Sequence, residues 1–121
     1  PKLKQKIKLG KQIDSVFYNN KYIGIAYSNN DKKCTSHIKL YDFNGKMLME
    51  NDTSIAYRNI EFDSNNEVCV TGESACEIYT IHGVKKFYHT FDQKLYKVMY
   101  KSGINNYIFI YEGAMDEVRL K

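Results

Sequence analysis

Apolar and polar residues alternate along most of this chain in short runs of five to eight, rich in Ile, Val, Tyr and Phe, and broken by Asn, Asp, Ser or Gly. Side chains on a strand point alternately to opposite faces, so a period of two predicts half-buried β-strands rather than helices. The predicted strands are 13–18, 22–28, 35–41 and 46–50, then 59–62, 67–71, 76–81 and 84–90, then 95–100, 107–111 and 115–121. Residues 2–9 alternate most strictly, with Lys2, Lys4, Lys6 and Lys8 against Leu3, Gln5, Ile7 and Leu9, and read as one further strand. Only 52–58 has mixed periodicity, and it lacks the caps and the length that would make it a helix.

The strands repeat. Tyr41-Asp42-Phe43-Asn44-Gly45 superposes on Tyr79-Thr80-Ile81-His82-Gly83 with a shift of 38, and the stretch from Asn20 to Ile25 superposes on Asn65 to Val70 with a shift of 45. Asn-Gly is a strong hairpin turn because both residues tolerate positive φ, and His82 stands where the first copy has Asn44. A period near 40 residues with four short strands per period is the pattern of β-propeller blades. The expected fold is therefore all-β: one propeller segment over 1–121 of about three four-stranded antiparallel blades, with repeats at about 12–50, 57–90 and 95–121 and an outer strand at 2–9. Closed propellers generally need four or more blades, so such a segment is part of a longer propeller, an open arc, or half of a ring made by two chains. Three blades expose two apolar faces, so self-association is expected, and the 2–9 strand could complete the third blade of another copy.

Composition refines this picture in one respect. The formal net charge of +4 lies in residues 1–11, which hold five Lys and no acid, so the remainder carries −1. A Lys-rich strand commonly keeps a sheet edge from pairing with other molecules. The aromatic-and-Arg platform of single-stranded nucleic-acid readers is not interleaved with it, and with two Arg in all, no nucleic-acid partner is expected. No apolar run reaches the roughly 18 residues of a membrane-spanning helix.

Tyr22 to Tyr27, Ile38 to Lys46 and Glu61 to Val68 resemble blades of quinoprotein-like and six-bladed TolB-like propellers. In style they are closest to an uncharacterised family of propellers from Gram-positive bacteria that one N-terminal helix attaches to the membrane. The resemblance implies an extracytoplasmic, membrane-tethered protein with further blades, and it transfers no functional residues.

Candidate chemistry is sparse. Cys34, Cys69 and Cys76 form no Cys-x-x-Cys pair and read as free thiols, and His37, His82 and His89 are scattered. Propeller ligands bind at a channel mouth, on the loops between blades and between the second and third strands of a blade. Those loops are expected to carry Asp31, Asp52, Glu73, Asp92, Glu112 and Asp116 as ligand-binding carboxylates. No Asp-x-Asp-x-Asp-Gly loop is present, so neither metal nor cofactor is expected. Eleven Tyr fit half-buried sheet surface, and an exposed subset would suit a protein or carbohydrate ligand. The function expected is a non-enzymatic interaction or ligand-binding scaffold. The alternative is a fragment of a propeller enzyme, quinoprotein-like or glycan-active, with its catalytic residues in absent blades.

Overall fold

The computed structural model describes residues 1–10, 12–28 and 36–120. Among the described residues, eleven strands form three antiparallel sheets, each a meander in chain order. Blade one contains β1 (Ile13–Tyr18), β2 (Tyr22–Ser28), β3 (Ser36–Asp42) and β4 (Met47–Asp52). Blade two contains β5 (Asn59–Phe62), β6 (Val68–Thr71), β7 (Ala75–Tyr79) and β8 (Lys85–Thr90). Blade three contains β9 (Leu95–Ser102), β10 (Asn106–Tyr111) and β11 (Ala114–Arg119). Together they make an all-β propeller segment, and 53–58 between the first two blades is irregular.

The blades stack through alternate side chains of blade two. Val68, Val70 and Tyr79 face blade one, in a core with Phe17, Ala26, Ile38, Leu40 and Met49. Cys69, Cys76 and Ile78 face the other way, in a core with Leu95, Val98, Tyr107 and Phe109 of blade three. All four residues of β6 are buried, so blade two reads as a continuous apolar strand where an edge blade shows alternation. Between blades, β1 lies against β5 and β6 against β9.

The repeat is reproduced bond for bond. Gly45 N–H donates to the Asp42 carbonyl at 3.1 Å and Gly83 N–H to the Thr80 carbonyl at 3.0 Å. The side chains of Asp42 and Thr80 likewise accept from the N–H groups of Lys46 and Val84. Each turn is followed by one extra residue, Leu48 in β4 and Lys86 in β8, again 38 apart. One detail differs from expectation. Positive φ belongs to Gly45 and Gly83, at 86° and 88°, and not to Asn44 or His82. Only the glycine position is left-handed, so the residue before it is free to vary.

The larger correction concerns residues 2–9, which form no strand. They lie along the outer face of blade one, where Gln5 and Ile7 approach Gly45 and a depression of about 750 Å³ separates the segment from Ile23, Ile25 and Tyr41. Period two states which side chains share a face, but a strand also needs a partner edge, and this segment has found a face. The reading of its lysines as guards of a sheet edge therefore falls. Blade three accordingly has three strands among the described residues, with β11 at its outer edge.

Candidate functional site

The loops at one end of the blades are stitched together by backbone hydrogen bonds. Leu95 N–H donates to the Glu73 carbonyl at 2.9 Å, Phe91 N–H to the Ser74 carbonyl at 2.7 Å and Glu112 N–H to the Lys94 carbonyl at 3.1 Å. This brings Glu73 and Glu112 to one bridge. Arg58 donates through Nη2 to the carbonyls of Leu95 and Tyr96 and holds Nη1 3.6 Å from Glu73. The Tyr96 hydroxyl donates to Glu112 at 2.5 Å, and that carboxylate pushes the hydroxyl's pKa up.

The other expected carboxylates lie elsewhere. Asp92 and Asp116 line a separate depression of about 400 Å³ with His89 and Tyr111. Asp116 belongs to β11 rather than to a loop. Burial, and then the Asp116 charge, pushes Tyr111 up. Asp52 ends β4 at the periphery of blade one, where its Oδ1 is 2.8 Å from Nδ1 of His37. The other ring nitrogen of His37 is 2.6 Å from Glu50. Asp31, with Cys34, lies outside the described residues. The five described carboxylates thus occupy three places, each with local partners.

The most elaborate polar chemistry is buried between the blades. Glu67, 5% exposed, accepts hydrogen bonds from the Lys86 ammonium and from the hydroxyl of Tyr107 across the blade interface. Lys86 also reaches that hydroxyl at 3.1 Å. On the opposite face of blade two, the wholly buried Glu77 accepts from the Ser54 hydroxyl at 2.5 Å and the Ser54 N–H at 3.2 Å, and pairs with Lys85 at 2.9 Å. Ordinary strand alternation sends the adjacent lysines to opposite faces, and the extra residue in β8 lets Phe87 reach the blade-three core on the same side as Lys86. Each interface is therefore closed by one buried Glu, one Lys of β8 and one hydroxyl from outside blade two. Sequence reasoning passed over both carboxylates. The available signal was Glu77 inside the run Ala75-Cys76-Glu77-Ile78-Tyr79, because a charge amid buried positions requires a partner.

Asp63 sits beside the Glu67 cluster and lines a depression of about 180 Å³ between β5 and β9, with Glu61, Ser64, Lys97 and Tyr100. Lys97 closes one side by reaching both Glu61 oxygens, at 2.8 and 3.0 Å. Asp63 Oδ1 accepts from the N–H groups of Asn65 and Glu67, each at 2.9 Å. Burial, and next its hydrogen bond with Glu67, pushes Asp63 up to about 6. Burial alone would raise Glu67 too, but the hydrogen bonds from Lys86, Tyr107 and Asp63 outweigh it and hold Glu67 down.

The signs are opposite. Asp63, raised when folded, contributes stability that is complete below the unfolded pKa near 4 and is lost as pH rises through about 6. Glu67 contributes stability above the usual carboxylate range that is lost only as pH falls through its depressed value. Between pH 7 and 5, Asp63 governs. Urea unfolding should show the wild-type chain gaining about 1 kcal/mol over Asp63→Asn on going from pH 7 to pH 5, after discounting for solvent screening. The amide carbonyl that Asp63→Asn introduces still accepts both turn N–H groups, so equal pH dependence of the two chains would remove Asp63 as the titrating group.

Cys69 and Cys76 are buried free thiols. Burial pushes both up, Cys76 to about 12, so neither is a nucleophile at neutral pH. Among the described residues, no group of three or more His, Cys, Asp or Glu side chains is placed to hold a metal ion, and no helix is long and apolar enough to cross a membrane. No curated protein matches the sequence. Residues 1–120, nearly the whole chain, match the Family of unknown function (DUF5711), and the chain belongs to that family.

Proposed function

We propose that this chain is a non-enzymatic propeller segment that serves as an interaction scaffold, binding through the outward faces of its first and third blades. One observation carries this reading. Strands β6 and β7 of blade two are buried on both faces, whereas the flanking blades carry apolar rows on faces that no blade covers. On blade one the outward row starts with Val16 and Tyr18, 55% and 75% exposed, and continues into Ile23, Ile25 and Tyr41, along which residues 2–9 lie. On blade three it contains Met99, Ile108, Ile110 and Met115, with Met115 67% exposed. Apolar rows of this extent on a sheet face are association surfaces. The blade–blade cores within the chain supply the template for what they bind: another blade, contributed by the full-length protein or by a second copy. The reading includes an extracytoplasmic location on a membrane tether, which rests on the blade resemblance alone.

Sedimentation velocity over a range of concentration tests the reading. Wild-type chain should associate reversibly at tens of micromolar, and Val16→Glu, which puts a charge on an exposed position and leaves the cores intact, should weaken association at least tenfold. A wild-type monomer at 100 µM, or an unchanged Val16→Glu, would count against it.

A further inference from the structure

We infer that residues 2–9 are a displaceable strap that gates the outward face of blade one, so that a blade docks there only once the strap has left. The inference rests on the scaffold reading for what docks, and adds how docking at blade one is controlled.

The internal repeat shows why strap and blade exclude each other. Gly45 and Gly83 are equivalent turn glycines, 38 residues apart. At Gly83 the notch left by the missing side chain is filled by blade one: a Cβ there would lie 3.2 Å from Asn51 and 3.3 Å from Met49, both on β4. Asn51 also donates to the Gly83 carbonyl at 2.8 Å. At Gly45 the same notch is filled by the strap, with Gln5 Nε2 2.6 Å and Ile7 Cδ1 2.8 Å from where a Cβ would stand. Residues 2–9 thus hold, on blade one, the place that β4 holds on blade two. A blade stacked on blade one as blade one is stacked on blade two needs that place for its own outer strand, and two segments cannot fill one notch.

The strap covers the face yet holds it loosely. Ile25 and Val16 are partners in the β1–β2 ladder and share the outward face, but Ile25, beside the strap, is 7% exposed and Val16 is 55%. Leu3, Gln5, Ile7 and Leu9, one side of the alternating pattern, all line the depression between strap and sheet. Leu3 nevertheless remains 76% and Ile7 44% exposed, and the gain from burial scales with the area removed from water. Among the described residues no backbone hydrogen bond joins the strap to the sheet. Gly10 supplies a pivot: its φ is 73°, in the left-handed region, and a Cβ there would meet nothing within 4 Å. Release therefore breaks few contacts, and the four lysines keep the released segment in water.

The test compares wild-type chain with Leu3→Ser/Ile7→Ser/Leu9→Ser, which releases the strap, keeps the net charge and touches neither blade–blade core. Circular dichroism checks that the variant folds. Methyl NMR with a soluble gadolinium chelate, at a concentration where the chains are monomeric, should show the Ile25 methyl groups relaxed at least twofold faster in the variant. Sedimentation velocity should show the variant associating at least tenfold more tightly, which corresponds to a strap seated in about nine wild-type molecules of ten. Val16→Glu added to the variant should remove the gain. Equal shielding of Ile25 in the two chains overturns the inference. Ile25 exposed in the variant with association no tighter than wild type overturns the gate and leaves the scaffold reading standing, because the segment is then part of the docked surface. No association of either chain up to 200 µM overturns the scaffold reading and the gate with it.

Discussion

Lys86→Met should lower the melting temperature by more than about 10 °C. The substitution keeps the aliphatic stem and removes the ammonium that partners Glu67, leaving a carboxylate that is 5% exposed without its counter-charge. Breaking a buried pair from one side costs about 3–5 kcal/mol, since the remaining charge cannot return to water without opening the interface. In a domain of this size each kcal/mol shifts the midpoint by roughly 3–5 °C. The double variant Glu67→Gln/Lys86→Met separates charge from shape. The amide that Glu67→Gln introduces still accepts the Tyr107 hydroxyl, and with no buried charge left most of the loss should return. A single variant that melts with the wild type would mean that water reaches Glu67, and the blade two–blade three interface would not be closed as described. Calorimetry of the three chains decides it.

The second large effect is expected at Gly24, on the other interface. Gly24 lies opposite Phe17 in the β1–β2 ladder, and a Cβ there would fall far inside contact distance of three carbons of the Phe17 ring. The ring lies over the glycine because it has somewhere to go. Its centroid is 5.1 Å from that of Phe62 in blade two, which in turn is 5.9 Å from Tyr22. Gly24→Ala would push Phe17 out of this group or part the blades. Overpacking of a filled core costs about 1–3 kcal/mol, and the closeness of the ring places the expected loss at the upper end. Denaturant unfolding should show the loss as a lower midpoint with an unchanged slope. Phe17→Leu in the Gly24→Ala background should recover part of it by vacating the ring position, and no recovery would assign the cost to something other than the ring.

Strands were legible because each is a period-two run closed by turn residues, and the repeat survives to single hydrogen bonds: the Asp42 and Thr80 turns match at a separation of 38. What sequence could not supply was the partner of each pattern. Lys2 to Leu9 alternates like a strand yet lies on a face, since alternation fixes orientation and leaves pairing open. The loop carboxylates illustrate the same limit. Glu73 and Glu112 meet through Arg58 and Tyr96, while Asp52 and Asp116 go to other partners, because the distance of a strand from the channel is not written in its own residues. Glu67 and Glu77 were the missed signal of greatest consequence. In a chain with balanced surface charge, a glutamate is unremarked until the strand around it proves to be buried on both faces. Then it must have a lysine, and Lys85-Lys86 supply one to each side.

Enclosure of blade two by its neighbours, with the outward faces of the first and third blades covered by no other blade, underlies both proposals. Amide hydrogen exchange read by mass spectrometry tests this most directly. Residues 68–71 and 75–79 should exchange slowest in the chain, through near-global unfolding, and residues 1–10 and 114–119 should exchange orders of magnitude faster. Exchange in β6 and β7 as fast as in β11 would contradict the stacked arrangement, and with it the outward faces on which the proposed function rests.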